Sequence, residues 1–228
     1  MANKTLWISG SALIFTALLL SVIVSISLPF IRGLDIIRIN TETLAGRRTD
    51  IRMGVWANCF YEVGVDFCGP TGLGYEVGIF AIAPIFVPQT ITATWTRHFV
   101  IHPIATVFIF VAFLATLFTR STLSTRSTID LVAFAATLFA TLMELIAFII
   151  DIAVFAHTHS IVKIVDENVN GILVTVTSAG FWLTFVSLVL LVGASVTLFI
   201  GRRRDRKSSE GASYPMQPKT WTDKFHFA

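Results

Sequence analysis

Four long apolar stretches constrain this chain more than any other feature: residues 6–28, 99–118, 129–155 and 172–200. Each reaches the roughly 20 residues that a helix needs to cross a ~30 Å hydrocarbon core. In water such segments would need apolar cover on every face. In lipid a helix satisfies its own backbone and leaves its side chains to the acyl chains. Composition agrees, with 54% hydrophobic and 14% charged residues and a mean hydropathy of +0.77, against roughly 25% charge in a soluble domain. The expected fold is an all-α integral membrane protein, a four-transmembrane-helix bundle. A cleaved signal peptide is the competing reading of the first stretch, because Lys4 precedes it and "SVIVSIS" supplies small residues. Its apolar run exceeds the usual ~7–15 residues of a signal core, which favours a span.

Basic residues near span ends set orientation. "RRRDRK" (202–207) follows the last stretch, Arg120 and Arg126 lie in the 119–128 connection without an acid, and Lys4 precedes the first stretch. All three fall on one side, so residues 1–5, 119–128 and 201–228 are expected in the cytoplasm. Residues 29–98 and 156–171 then form two extracellular loops. The six arginines of the first loop are balanced by Asp35, Glu42, Asp50, Glu62, Asp66 and Glu76.

The two cysteines of the chain, Cys59 and Cys68, fall in that loop, within "GVWANCFYEVGVDFCGPTGLGYEVG" (54–78). Outside the cytoplasm an oxidising compartment makes a disulfide the default. Closing so short a loop is worth roughly 2–3 kcal/mol in the chain-entropy description. A zinc site would need further Cys or His at ligand spacing, and a redox pair would read C-x-x-C; the sequence offers neither. Gly54, Gly69 and Gly74 supply turn positions and close backbone approach around the bridge. Trp56 reads as an apolar lid on the disulfide or as an interfacial anchor. "DIIRIN" (35–40), "IRMGVW" (51–56) and "YEVGIFAIAPIFV" (75–87) are rich in β-branched residues, so a small antiparallel sheet resting on the helix ends is expected.

A four-span chain with GVWxxC, eight residues and then C is similar to the claudin-like superfamily. Further motifs pull it towards the fungal PalI family of pH-response and cortical-patch membrane proteins. "NCFYEVGVDFCGPTGLGYEV" resembles that family's cysteine pair followed by Gly-Tyr, here Gly74 and Tyr75. "FVIHPIATVFIFVAFLATLF" (99–118) looks like its second span, "ELIAFIIDIAVFAH" (144–157) its third and "SAGFWLTFVSLVLLVGAS" (178–195) its fourth. The tail after the last span is shorter than in long-tailed members. The resemblance implies a claudin-like bundle with a disulfide-linked, β-rich extracellular loop in the plasma membrane. It also implies a role beside a seven-span sensor in ambient-pH signalling, or in organising cortical membrane domains and the cell wall.

Polar groups inside the spans bear on mechanism. Asp130, Thr137, Glu144 and Asp151 recur every seven residues and drift only ~20° per heptad, so they form one stripe. Glu144 falls near mid-bilayer, where a carboxylate costs roughly 2.5–3.5 kcal/mol on insertion scales and must face a neighbouring helix. It reads either as interhelical glue to a Ser or Thr, or as a proton- or partner-sensing site; Asp151, nearer the outer face, is expected to meet a loop residue or water. His98, His157 and His159 could titrate near ~6.5, but their spacing completes no ligand set. His102–Pro103 reads as the start of the second helix. Small residues at Gly171, Thr175 and Ala179, and at Gly193, Thr197 and Gly201, suit close helix packing within the bundle or with a partner. Arg202, Arg203, Arg204, Arg206 and Lys207 form a patch for anionic lipid, at about 1 kcal/mol per basic residue, or a topology signal alone. The segment from Ser208 onward reads as a disordered tail or short docking peptide.

No nucleophile–base pair, phosphate loop or metal cluster can be read from the sequence, so no catalytic residue, metal or cofactor is assigned. The intramembrane acids sit on one span, which does not suit a transporter with broken helices. The expected function is therefore a non-enzymatic membrane scaffold. Its partners would be membrane lipids and another integral membrane protein rather than nucleic acid, and a homo-oligomer is compatible with the same surfaces. A claudin-type adhesion or barrier subunit is the third reading.

Overall fold

The computed structural model describes residues 2–42, 48–62, 65–78, 90–121, 126–169 and 173–212. Four long helices carry the apolar stretches: α1 (Ala2–Ser25), α3 (Ile101–Ser121), α4 (Arg126–Val169) and α5 (Ala179–Ala212). A short helix α2 (Ala93–Thr96) and a 3-10 turn (Arg97–Val100) lead into α3. All four long helices are apolar and long enough to cross a membrane. α1 packs on α5 and α3, while α4 packs on α3 and α5.

The bundle places its small residues inward and its large apolar ones outward. Ala17, Ala112, Ala133, Ala140, Ala147 and Ala194 are fully buried, whereas Phe15, Val107, Phe110, Phe139 and Val189 are exposed. Lipid makes this inversion sensible. Acyl chains solvate large side chains as well as a protein interior does, so close backbone approach across small residues decides the packing. Gly10 fits against Thr197 and Leu198, and Gly201 against Trp7. The Gly193–Thr197–Gly201 stripe therefore serves packing of α5 on α1. Thr175 and Ala179 of the other small-residue series lie on a strand and at the start of α5 instead, and Gly171 lies outside the described residues.

Helix α4 departs from the sequence expectation. Its 44 residues span about 66 Å at 1.5 Å per residue, twice a hydrocarbon core. The helix does not end at residue 155 but continues to Val169, through what was expected to be a loop. The physical reason is a continued apolar face: Val154, Val162 and Val165 are buried against a sheet.

That sheet has strands β1 (Ile37–Glu42), β2 (Arg48–Met53), β3 (Asn58–Glu62), β4 (Val65–Cys68) and, from after α4, β7 (Leu173–Thr177). The order is β4-β3-β2-β1-β7, with every neighbouring pair antiparallel. β5 (Val77–Gly78) and β6 (Thr90–Ile91) form a separate two-residue ladder. Alternation is clear: Ile37, Ile39, Ile51 and Met53 are fully buried and face the helix ends, beside Phe99. Arg38 and Arg52 take the other face. The first two strands expected from the sequence correspond to β1 and the end of β2. Of the third, only Val77–Gly78 is a strand among the described residues; 79–89 lies outside them. The fourth helix begins at Ala179 rather than 172, because 173–177 pair with β1 as β7.

Candidate functional site: the sheet–bundle junction

The cysteine pair lies where the sequence places it. Cys59 and Cys68 are direct cross-strand partners on β3 and β4, with Cα atoms 4.0 Å apart, and are joined by a disulfide. Next to them the Gly69 N–H donates to Asn58 O at 2.9 Å. A Cβ at Gly69 would stand 2.7 Å from Asn58 Oδ1, so glycine permits that contact.

The rest of the motif fastens this hairpin to the bundle. The Trp56 indole N–H donates to the Ser25 carbonyl at 2.6 Å, satisfying an acceptor that the end of α1 leaves without an intrahelical partner. Trp56 is thus a cap on a helix. The Val55 N–H donates to Ser27 Oγ at 2.8 Å. Gly54 lies against Leu28, where an added Cβ would come within 2.7 Å of a side-chain atom and 2.9 Å of the backbone nitrogen. The Tyr75 hydroxyl donates to the Gly54 carbonyl at 2.5 Å, and Thr96 bonds both Tyr75 peptide groups, at 2.9 and 2.6 Å. Burial pushes the Tyr75 phenol above its ordinary pKa, so the hydroxyl remains a donor. Gly74, at φ +90°, turns the chain into this site, and a side chain there would run into Arg97. Gly54, Trp56, Gly69, Gly74 and Tyr75 thus form one junction with the disulfide hairpin.

A second junction closes the other side of the sheet. Asp35 is fully buried and takes two bonds from Arg38, at 2.9 and 3.0 Å, while Arg38 also reaches Ser178 Oγ at 3.3 Å. The hydrogen bond to Asp35 holds the Arg38 guanidinium above its already high pKa. The Gly180 N–H donates to Asp35 O at 2.9 Å, tying the start of α5 to the start of β1.

Below the sheet lies the polar stripe of α4. Thr137, Glu144 and Asp151 are all buried on one face; the Asp130 side chain is outside the described residues. Asp151 meets a neighbouring helix rather than a loop residue. It is fully buried, and its Oδ1 lies 2.9 Å from His102 Nε2 on α3. A carboxylate packed among helices needs a donor, and the first turn of α3 supplies one at the same depth. Among the described residues Glu144 Oε2 and Asp151 Oδ2 have no hydrogen-bond partner. The Thr106 hydroxyl donates to His102 O at 2.9 Å, leaving its oxygen to accept from Ser21 and Ser25 of α1 at 2.7 and 2.8 Å. Polar bonds therefore connect α1, α3 and α4 just beneath the sheet.

His157 stacks on Trp95 with ring centroids 4.0 Å apart, and His98 lies 3.2 Å from Trp95 O. No group of three or more His, Cys, Asp or Glu suited to a metal occurs among the described residues. Arg202 is half-buried and Arg203 and Arg204 exposed, at the end of α5 remote from its junction with the sheet. Arg206 and Lys207 lie in the last turns of α5, and their side chains are outside the described residues. The tail segment is helical to Ala212; 213–228 are outside the described residues.

These features define a multi-pass membrane protein: a four-helix bundle carrying a disulfide-bonded antiparallel sheet at one end. The chain belongs to the SUR7/PalI family, whose model matches residues 5–195, from α1 through most of the fourth span. A search of curated proteins found no match.

Proposed function

We propose that this protein is a non-enzymatic scaffold of the plasma membrane that supports a membrane sensor complex in fungal ambient-pH signalling. Both termini are cytoplasmic in this reading, and the sheet faces outward. The supporting observation is that the motif residues are engaged in internal bonds. Trp56, Tyr75 and Asp35 tie sheet to bundle, and Asp151 ties helix to helix. Such a body presents an outward surface held rigidly to its spans, as a scaffold requires, and membership of the SUR7/PalI family supports this reading. The experiment is gene deletion. Loss of growth at alkaline pH, with the sensor no longer delivered to the cell surface, is the expected result. Normal alkaline growth with a correctly placed sensor would refute this reading.

Arg203 and Arg204, exposed at the end of the last span, favour a second reading. Basic residues there attract the anionic inner leaflet, and a lipid-clustering organiser of cortical domains would use them. Altered cortical patches with intact alkaline growth would select it.

A further inference from the structure

The two edges of the five-stranded sheet are built differently. β4 is four residues long and carries Asp66, which Arg32 bridges at 2.8 Å. Short, charged edges of this kind discourage pairing with other chains. β7, "LVTVT", has no charge and no proline, and is β-branched at four of its five positions. Among the described residues only β1 pairs with it.

Its free side follows from the bonds at either end. The Ser178 N–H donates to Ile36 O, and antiparallel bonding alternates by two, so Val176 and Val174 also bond towards β1. Leu173, Thr175 and Thr177 then direct their peptide groups away from it. Leu173 agrees, because its N–H donates to Asp166 Oδ1 of α4 at 2.7 Å. No such partner meets the Thr175 peptide among the described residues. Beside it lies a cavity of about 300 Å³, walled by His159, Lys163 and Asp166 of α4 and by 173–175 of β7. Thr175 Oγ1 is buried at this cavity without a partner among the described residues. The Asp166 carboxylate already serves Leu173. Lys163 is exposed and has no carboxylate within ion-pairing distance among the described residues.

We propose that the outer edge of β7 and this cavity receive an extended, acidic segment of a partner protein by strand addition. Main-chain bonds form at Thr175, and a carboxylate side chain meets Lys163. Backbone pairing supplies affinity in this mode, while the flanking pocket selects the side chain. The inference deepens the scaffold reading, on which it rests for the partner's place in a membrane complex; the groove chemistry does not depend on that reading.

The test uses the full chain in lipid nanodiscs and a short, soluble fluorescent peptide of alternating valine and threonine with one central glutamate. A second peptide carries lysine instead. The glutamate peptide should bind about tenfold more tightly, and Lys163→Glu should reverse the order. Thr175→Pro removes an N–H that points away from β1, so the ladder survives, and a hydroxyl that Thr175→Val also removes; it should weaken both peptides about fivefold, while Thr175→Val should not. If Thr175→Pro lowers thermal stability, the exposed Lys163→Glu variant decides alone. Absent binding, equal binding of the two peptides, or indifference to Lys163→Glu would overturn the proposal. Self-association of the chain that Thr175→Pro abolishes would also overturn it, giving the edge to a second copy. The alkaline-growth phenotype is scored separately, so failure of the groove and failure of the scaffold reading remain distinguishable.

Discussion

Cys59 and Tyr75 stabilise the same junction by different means, and substitutions separate them. The disulfide closes a short loop, so Cys59→Ser should cost roughly 2–3 kcal/mol. Cys68→Ser should match it, and the double variant should be no worse than either, as read by proteolysis of the loop and surface delivery. Additive losses would mean that the two thiols act separately. Tyr75→Phe deletes one hydroxyl and leaves the Gly54 carbonyl buried without its donor, a loss of about 1–3 kcal/mol with the disulfide intact. The cysteine pairing was legible because redox compartment and spacing suffice to infer it. The task of Trp56 was not: its acceptor is Ser25 O, 31 positions earlier, and no local pattern announces a contact of that range.

At the scale of helices, His102 and Asp151 form the one buried ion-pair-capable contact between α3 and α4 among the described residues. Removing one member of such a pair strands the other, at about 3–5 kcal/mol, whereas removing both in favour of apolar groups is often tolerated. His102→Leu should therefore lower the denaturant midpoint strongly in mild detergent. Adding Asp151→Leu should recover much of the loss. Two independent, additive losses would show that the residues do not act as a pair. Glu144 is different, since among the described residues no basic side chain forms an ion pair with it. Glu144→Gln should be almost neutral and Glu144→Leu mildly harmful, as individual membrane hydrogen bonds average ~0.6 kcal/mol. A normally delivered Glu144→Gln protein that lost the alkaline response would instead make this carboxyl a signalling group. The stripe itself was readable from its heptad spacing. Its partner is not readable in the same way: His102 carries only the signal of a helix start, although both residues sit at the same end of their spans.

For the whole molecule, hydropathy revealed the number of spans but not where the fold leaves the membrane. The run 172–200 looks continuous because Leu173–Thr177 is as apolar as the helix that follows. Only its register with β1, across more than 130 residues, makes it a strand. The extension of α4 to Val169 was hidden for a related reason, since its buried face is paired with a sheet built from the other end of the chain. Both features leave orientation to be tested, and the structure supplies two exposed reporters at opposite ends of the bundle. Ser160 lies on the part of α4 beside the sheet, and Arg203 lies at the far end of α5. The native cysteines are bridged, so an introduced thiol is the only free one. With the basic residues retained in the cytoplasm, Ser160→Cys should react with a membrane-impermeant maleimide on intact cells. Arg203→Cys should react only after permeabilisation. Arg203 also belongs to the basic run that sets topology, so Leu198→Cys, buried near the same end, serves as a charge-neutral control under denaturing permeabilisation. Labelling of Arg203→Cys and protection of Ser160→Cys on intact cells would invert the protein. The sheet, the disulfide and the β7 edge would then face the cytoplasm, and an outward scaffold would be untenable.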